Sequence, residues 1–166
     1  MLSDKVRMSF RPRNTTASSR GHTGFYIRYA SVVCEALKKP IFQRFLRWML
    51  SKESIEADSI KNVKVRIFPF QKQNGKMLAG RCRSKGEILI FPKRRRFCRD
   101  FRQKHGSERL LSFIIDRARA VLVHELLHMK YLGDEKKVRR LTSRYYSAFA
   151  LCKEEPRLAL KLSLGH

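Results

Sequence analysis

Apolar positions change their period several times along this chain, and each change predicts an element. Tyr26, Ile27, Ala30, Val33, Cys34 and Leu37 recur at helical spacing. Pro40 interrupts them, and a second helical stripe follows through Ile41, Phe42, Phe45, Leu46 and Met49, with Trp48 expected in the core. The period then falls to two. Val63, Val65 and Ile67 alternate with Lys64 and Arg66, as in a half-buried strand. Asn74-Gly75 signals a turn, Leu78 to Cys82 a further strand, Ser84-Lys85-Gly86 a second turn, and Glu87 to Phe91 another strand. About three antiparallel strands are expected here.

Helical spacing returns over 107–132, with Ser107 as N-cap and Leu111, Ile114, Ile115, Ala118, Val121, Leu122 and Leu126 on a broad apolar face. Gly133 is the expected stop. Asp134 fits the N-cap of a last helix, with Glu135 in its first turn and a stripe of Val138, Leu141, Tyr145, Phe149 and Cys152. The pattern predicts an α+β fold: a small antiparallel sheet beside one long buried helix, with further helices. A single domain is expected over 23–155. A flexible basic arm over 1–22 precedes it, and a tail over 156–166, where Leu158, Leu160, Leu162 and Leu164 alternate, follows.

Composition supports a globular chain of 166 residues, 43% hydrophobic. Charge changes the picture more. Lys and Arg number 38 against 14 Asp and Glu, a formal net charge of +24. Such self-repulsion calls for an anionic partner, with nucleic acid, DNA or RNA, the first candidate and an anionic membrane surface the second. A merely solvated basic surface is the alternative. The densest run, Lys93, Arg94, Arg95, Arg96, Arg99 and Arg102, interleaves with Phe91, Phe97 and Phe101, which suits phosphates with rings near bases. Four scattered cysteines without a CxxC are read as reduced thiols. No apolar run approaches the ~20 residues of a membrane span, and a soluble, cytoplasmic protein, nucleoid-associated through its charge, is expected.

The candidate chemistry lies on the long helix. His124-Glu125-Leu126-Leu127-His128 puts two imidazoles one helical turn apart, where one zinc ion can reach both, with Glu125 beside it as general base. Three ionisable groups on a buried helix are costly without a metal or partners. A catalytic zinc takes three protein ligands. Asp134, six residues past His128, is preferred as the third, and Glu135 competes because its longer side chain can reach around the first turn. Tyr145 or Tyr131 could assist as oxyanion donor.

These residues resemble the SprT-like zinc metallopeptidases. HELLH (His124 to His128) carries the resemblance, together with the upstream stretch Leu78-Ala79-Gly80-Arg81-Cys82-Arg83-Ser84-Lys85-Gly86-Glu87-Ile88-Leu89-Ile90-Phe91-Pro92, which looks like that family's hairpin. The resemblance covers roughly residues 25–150. It implies a zincin-like fold, His124 and His128 as zinc ligands, Glu125 as catalytic base, and an edge strand that pairs with an extended protein or peptide substrate, including protein bound or crosslinked to DNA. The family's third ligand is usually histidine, whereas the matching position here is Asp134. Two other functions compete: a nucleic-acid-binding protein whose metal site is structural or vestigial, and a zinc hydrolase acting on another bond.

Overall fold

The computed structural model describes residues 2–10 and 21–154. A 3-10 turn, Leu2–Lys5, leads into β1, Val6–Ser9. Helices α1, Thr23–Lys38, and α2, Pro40–Glu53, follow, split where the pattern of prolines and apolar residues splits them. Strand β2 spans Asn62–Arg66, a short hairpin is made by β3, Phe70–Gln71, and β4, Met77–Leu78, and a second hairpin by β5, Gly80–Arg83, and β6, Glu87–Ile90. Three helices complete the fold: α3, Arg95–His105; α4, Ser107–Tyr131; and α5, Glu135–Glu154. The architecture is α+β, as the periodicity predicts.

The sheet departs from the antiparallel expectation. Its order is β1-β2-β6-β5, and only β5 and β6 are antiparallel. Strand β1 runs parallel to β2, and β2 parallel to β6. Parallel neighbours need a long crossover. Helices α1 and α2 supply it between β1 and β2, and the β3–β4 hairpin with β5 returns the chain before β6. Alternation at β2 shows which side is covered: Val63 and Val65 are buried, and they pair with Ile88 and Ile90, which are buried too. Helices α1 and α4 lie on that side, and α5 packs along α4.

Strand β1 also corrects the expected arm. Leu2 and Val6 are buried, and Lys5 Nζ donates to the carbonyls of Ala57 (3.0 Å) and Ile60 (2.7 Å). Residues 2–9 therefore belong to the domain. The rest of the arm from residue 11 to 20, the leucine tail and the Cys152 side chain lie outside what the structure describes. No helix among the described residues is long and apolar enough to cross a membrane.

Helix α4 is the axis of the molecule. Ile114, Ala118, Leu122, Val123, Leu126 and Leu127 are buried along it. Each such leucine stabilises the fold by about 1.5–3 kcal/mol through burial. Leu111, expected on this face, is 47% exposed. The helix starts from Gly106, whose φ of 91° breaks the path from α3, and not from a Ser107 side-chain cap. Cys34, Cys82 and Cys98 are free thiols, and burial pushes Cys98 up to about 11.

Candidate metal centre

Two local devices build the site, one at each side of helix α4. The first is a close approach of strand to helix. A Cβ at Gly80 would stand 2.5 Å from Val121 Cγ1 and 3.0 Å from Glu125 Cγ, so only glycine lets β5 lie this near the HExxH turn. Glu125 is thereby enclosed, 8% exposed, against the sheet edge. Burial raises its pKa, partly opposed by His128 and by the Cys82 backbone N–H, with Glu135 adding to the rise.

The second device is the break between α4 and α5. The stop expected of Gly133 falls one residue earlier. Leu132 holds a φ of 40°, an uncommon conformation for a side-chain-bearing residue. That turn carries the Leu132 carbonyl back to His128 Nδ1, 2.7 Å away. A carbonyl only accepts, so Nδ1 of His128 donates this bond, and in the neutral ring Nε2 is the nitrogen that carries the lone pair. On the other histidine, Thr142 Oγ1 lies 3.5 Å from Nδ1 of His124. Burial lowers the His124 pKa, with His128 and Arg139 also lowering it against Glu135, which favours the neutral ring.

Asp134, preferred as third ligand on spacing, is not in this cluster. Its carboxylate accepts the Lys137 backbone N–H at 3.1 Å, the N-cap role that its position also suggests. Capping turns it to the start of α5, away from the histidines. The next residue takes its place. Glu135 Oε2 lies 2.9 Å from His128 Nε2, and Oε1 lies 3.3 Å from His124 Nε2. The two Nε2 atoms are 3.0 Å apart. Burial alone would raise the Glu135 pKa, but Arg139, whose Nε donates at 2.9 Å, and the two histidines hold it below its ordinary value.

These donors fit a zinc ion. Nitrogens bound to one tetrahedral zinc at about 2.0–2.1 Å stand about 3.3 Å apart, within a few tenths of the separation here. His128 Nε2 meets both the His124 ring nitrogen and a Glu135 carboxylate oxygen at about this separation. His124, His128 and Glu135 offer atoms all within 4.8 Å of one another, the three-ligand set that a catalytic zinc takes. Beside them opens a cleft of about 1050 Å³, bordered by β5, Glu125, Arg117, Arg139 and Thr142.

Neither tyrosine considered as an oxyanion donor borders this cleft. Tyr131 and Tyr145 both donate to Glu53, at the end of α2, and Lys130 Nζ reaches the same carboxylate at 3.3 Å and the Glu53 carbonyl at 2.6 Å. Glu53 is 7% exposed. Burial works against its charge, but the hydrogen bonds from Tyr131, Tyr145 and Lys130 outweigh it and lower its pKa. This cluster ties α2 to both sides of the α4–α5 break.

The basic run is arranged differently. Lys93 Nζ stands over the Phe97 ring at 4.6 Å, with its pKa lowered by burial and by Arg117. Arg94 bonds Gln71. Arg96 and Arg99 both turn to Asp100, at 4.0 and 3.1 Å. Arg95 and Arg102 are exposed. Phe97 and Phe101 pack on Phe113 of α4, with ring centroids 5.4 and 5.0 Å apart, and form a wall between helices.

Sequence reasoning missed Glu53, Arg139 and Thr142. The last two carry a signal: Glu135, Arg139 and Thr142 follow the i, i+4, i+7 spacing of one helix face. Glu53 carries none, since its partners lie 77 to 92 residues away. Set against protein-family models, curated proteins and solved structures, the chain matches none of them.

Proposed function

We propose that this protein is a zinc-dependent metallopeptidase of zincin-like, SprT-like type, with His124, His128 and Glu135 as the residues that hold the metal. The observation that carries the reading is the convergence of these three side chains beside a buried Glu125, on a cleft bordered by an open sheet edge. When bound, zinc supplies a Lewis acid that acidifies water and polarises a carbonyl.

The chain's own residues supply the rest. Glu125 accepts a proton from the attacking water on its carboxylate and returns it to the leaving amine. Its raised pKa suits it to hold that proton between the two steps. Leu132 O and Thr142 Oγ1 keep the imidazoles turned with Nε2 towards the metal position. Arg139 fixes the Glu135 carboxylate and places a positive charge beside the site. Among the described residues strand β5 pairs with β6 alone, so its other edge offers main-chain groups to an extended polypeptide. That geometry favours unfolded or extended protein substrates over compact ones.

The competing reading is a nucleic-acid-binding protein with a structural metal site, which the +24 charge favours. Glu125→Gln separates the two. Hydrolysis of an unfolded protein such as casein should fall by on the order of 10²–10⁴-fold, with zinc content retained. Equal cleavage by the two proteins removes the peptidase reading.

A further inference from the structure

The helices cover one face of the four-stranded sheet, and the other face carries cations in register. Arg7 on β1 stands opposite Lys64 on β2, Lys64 opposite Leu89 on β6, and Leu89 opposite Arg81 on β5. On either side of this row are Arg66, opposite Ser9, and Arg83, opposite Glu87. Among the described strand residues on this face Glu87 is the carboxylate, and it is engaged by both Lys64 and Arg83. Arg7 and Arg81 are exposed and have no acidic partner among the described residues.

Like charges directly opposite across strands destabilise a sheet. A face that keeps Arg7 against Lys64 departs from the local rule, and such departures mark places shaped by a partner. The only apolar side chain that the strands present on this face, Leu89, is 4% exposed, so the face has no apolar anchor to insert into lipid or to seat a protein hot spot. What remains is a row with Arg7 and Lys64 on one side of Leu89 and Arg81 on the other, spanning three strand spacings, about 14 Å from Arg7 to Arg81.

The geometry points to this outer sheet face as a docking surface for a nucleic-acid backbone, held at its phosphates by Arg7, Lys64 and Arg81 without reading the bases. Arg81 also borders the cleft. A nucleic acid on this face therefore brings proteins bound to it alongside the open edge of β5. The surface is distinct from the run at 93–102, and it stands whether or not the protein is a peptidase.

The test is fluorescence anisotropy of the full chain with a labelled mixed-sequence DNA oligonucleotide, titrated across salt. Wild type should bind with a steep salt dependence and little preference among sequences. Arg7→Gln with Arg81→Gln should weaken binding at least tenfold in low salt and make the slope of log K against log salt shallower by about 2. Arg7→Lys with Arg81→Lys should keep both, which separates charge from folding, and thermal melts check that all variants fold. Three results overturn the proposal: no oligonucleotide binding; an unchanged slope in the Gln pair while Arg96→Gln with Arg102→Gln abolishes binding; or binding of phosphatidylserine vesicles in place of the oligonucleotide.

Discussion

Two stretches stand out in the sequence, His124 to Glu135 and Lys93 to Arg102, and the fold treats them in opposite ways. In the first, side chains from two helices converge, and each is held by another. His128 is turned by the Leu132 carbonyl, Glu135 by Arg139, and the break itself is pinned through Glu53. In the second, the cations diverge. Asp100 pairs with two of them, Gln71 takes another, and their phenylalanines face a neighbouring helix. A motif defined by spacing on one helix survives folding, because the helix carries the spacing into space. A run defined by charge does not, since consecutive residues on a helix point in different directions. The cations that the fold does align come from separate strands.

The comparison can be broken at its strongest point first. Glu135→Ala should lower zinc affinity by more than the 10–100-fold usual for an outer partner of a metal ligand, measured by competition with a chromophoric chelator. Asp134→Ala should keep zinc and cost about 1 kcal/mol of stability as a lost helix cap. The reverse pattern would restore Asp134 as ligand.

Next is the lock behind the site. Glu53→Ala strands Lys130, Tyr131 and Tyr145 and should cost about 3 kcal/mol in a denaturant melt. The pH dependence follows from sign. Glu53 is lowered from about 4.5 in the fold. Its contribution is therefore complete above that value and is lost as pH falls below it, through the lowered folded value. Glu53→Gln should be less stable than wild type at neutral pH and should lose less stability on acidification. A parallel loss in both proteins would remove Glu53 from the account.

Gly80→Ala tests the approach of β5 to α4. The new methyl meets Val121 Cγ1 at 2.5 Å, and overpacking of this kind costs about 1–3 kcal/mol. Activity should fall further than stability implies, because the displaced strand borders Glu125. The smallest effect belongs to the basic run. Arg96→Ala and Arg99→Ala should each change stability by under about 0.5 kcal/mol, since their pairs with Asp100 are exposed. A large loss there would show that the run is structural, and the contrast would fail.

Much of this molecule was legible in advance. The helices around Pro40, the β5–β6 hairpin with its turn at 84–86 and the long apolar helix all follow from local periodicity. So does the pairing of His124 with His128. The sheet's handedness of pairing did not follow, because β1 reaches β2 over a pair of helices and no short-range pattern records that contact. Nor did the role of Glu53, whose partners are far along the chain.

What the sequence by itself determined is the placement of chemistry within an element: i, i+4 on a helix brings two imidazoles to one point, and alternation on a strand divides valines from lysines. What only the tertiary structure decided is which of two adjacent acids joins the histidines. Asp134 and Glu135 differ by one position and one methylene. The strained turn at Leu132 gives the shorter side chain to the helix cap and sends the longer one back across the break. That choice depends on how α5 packs on α4, and packing is a property of the whole chain.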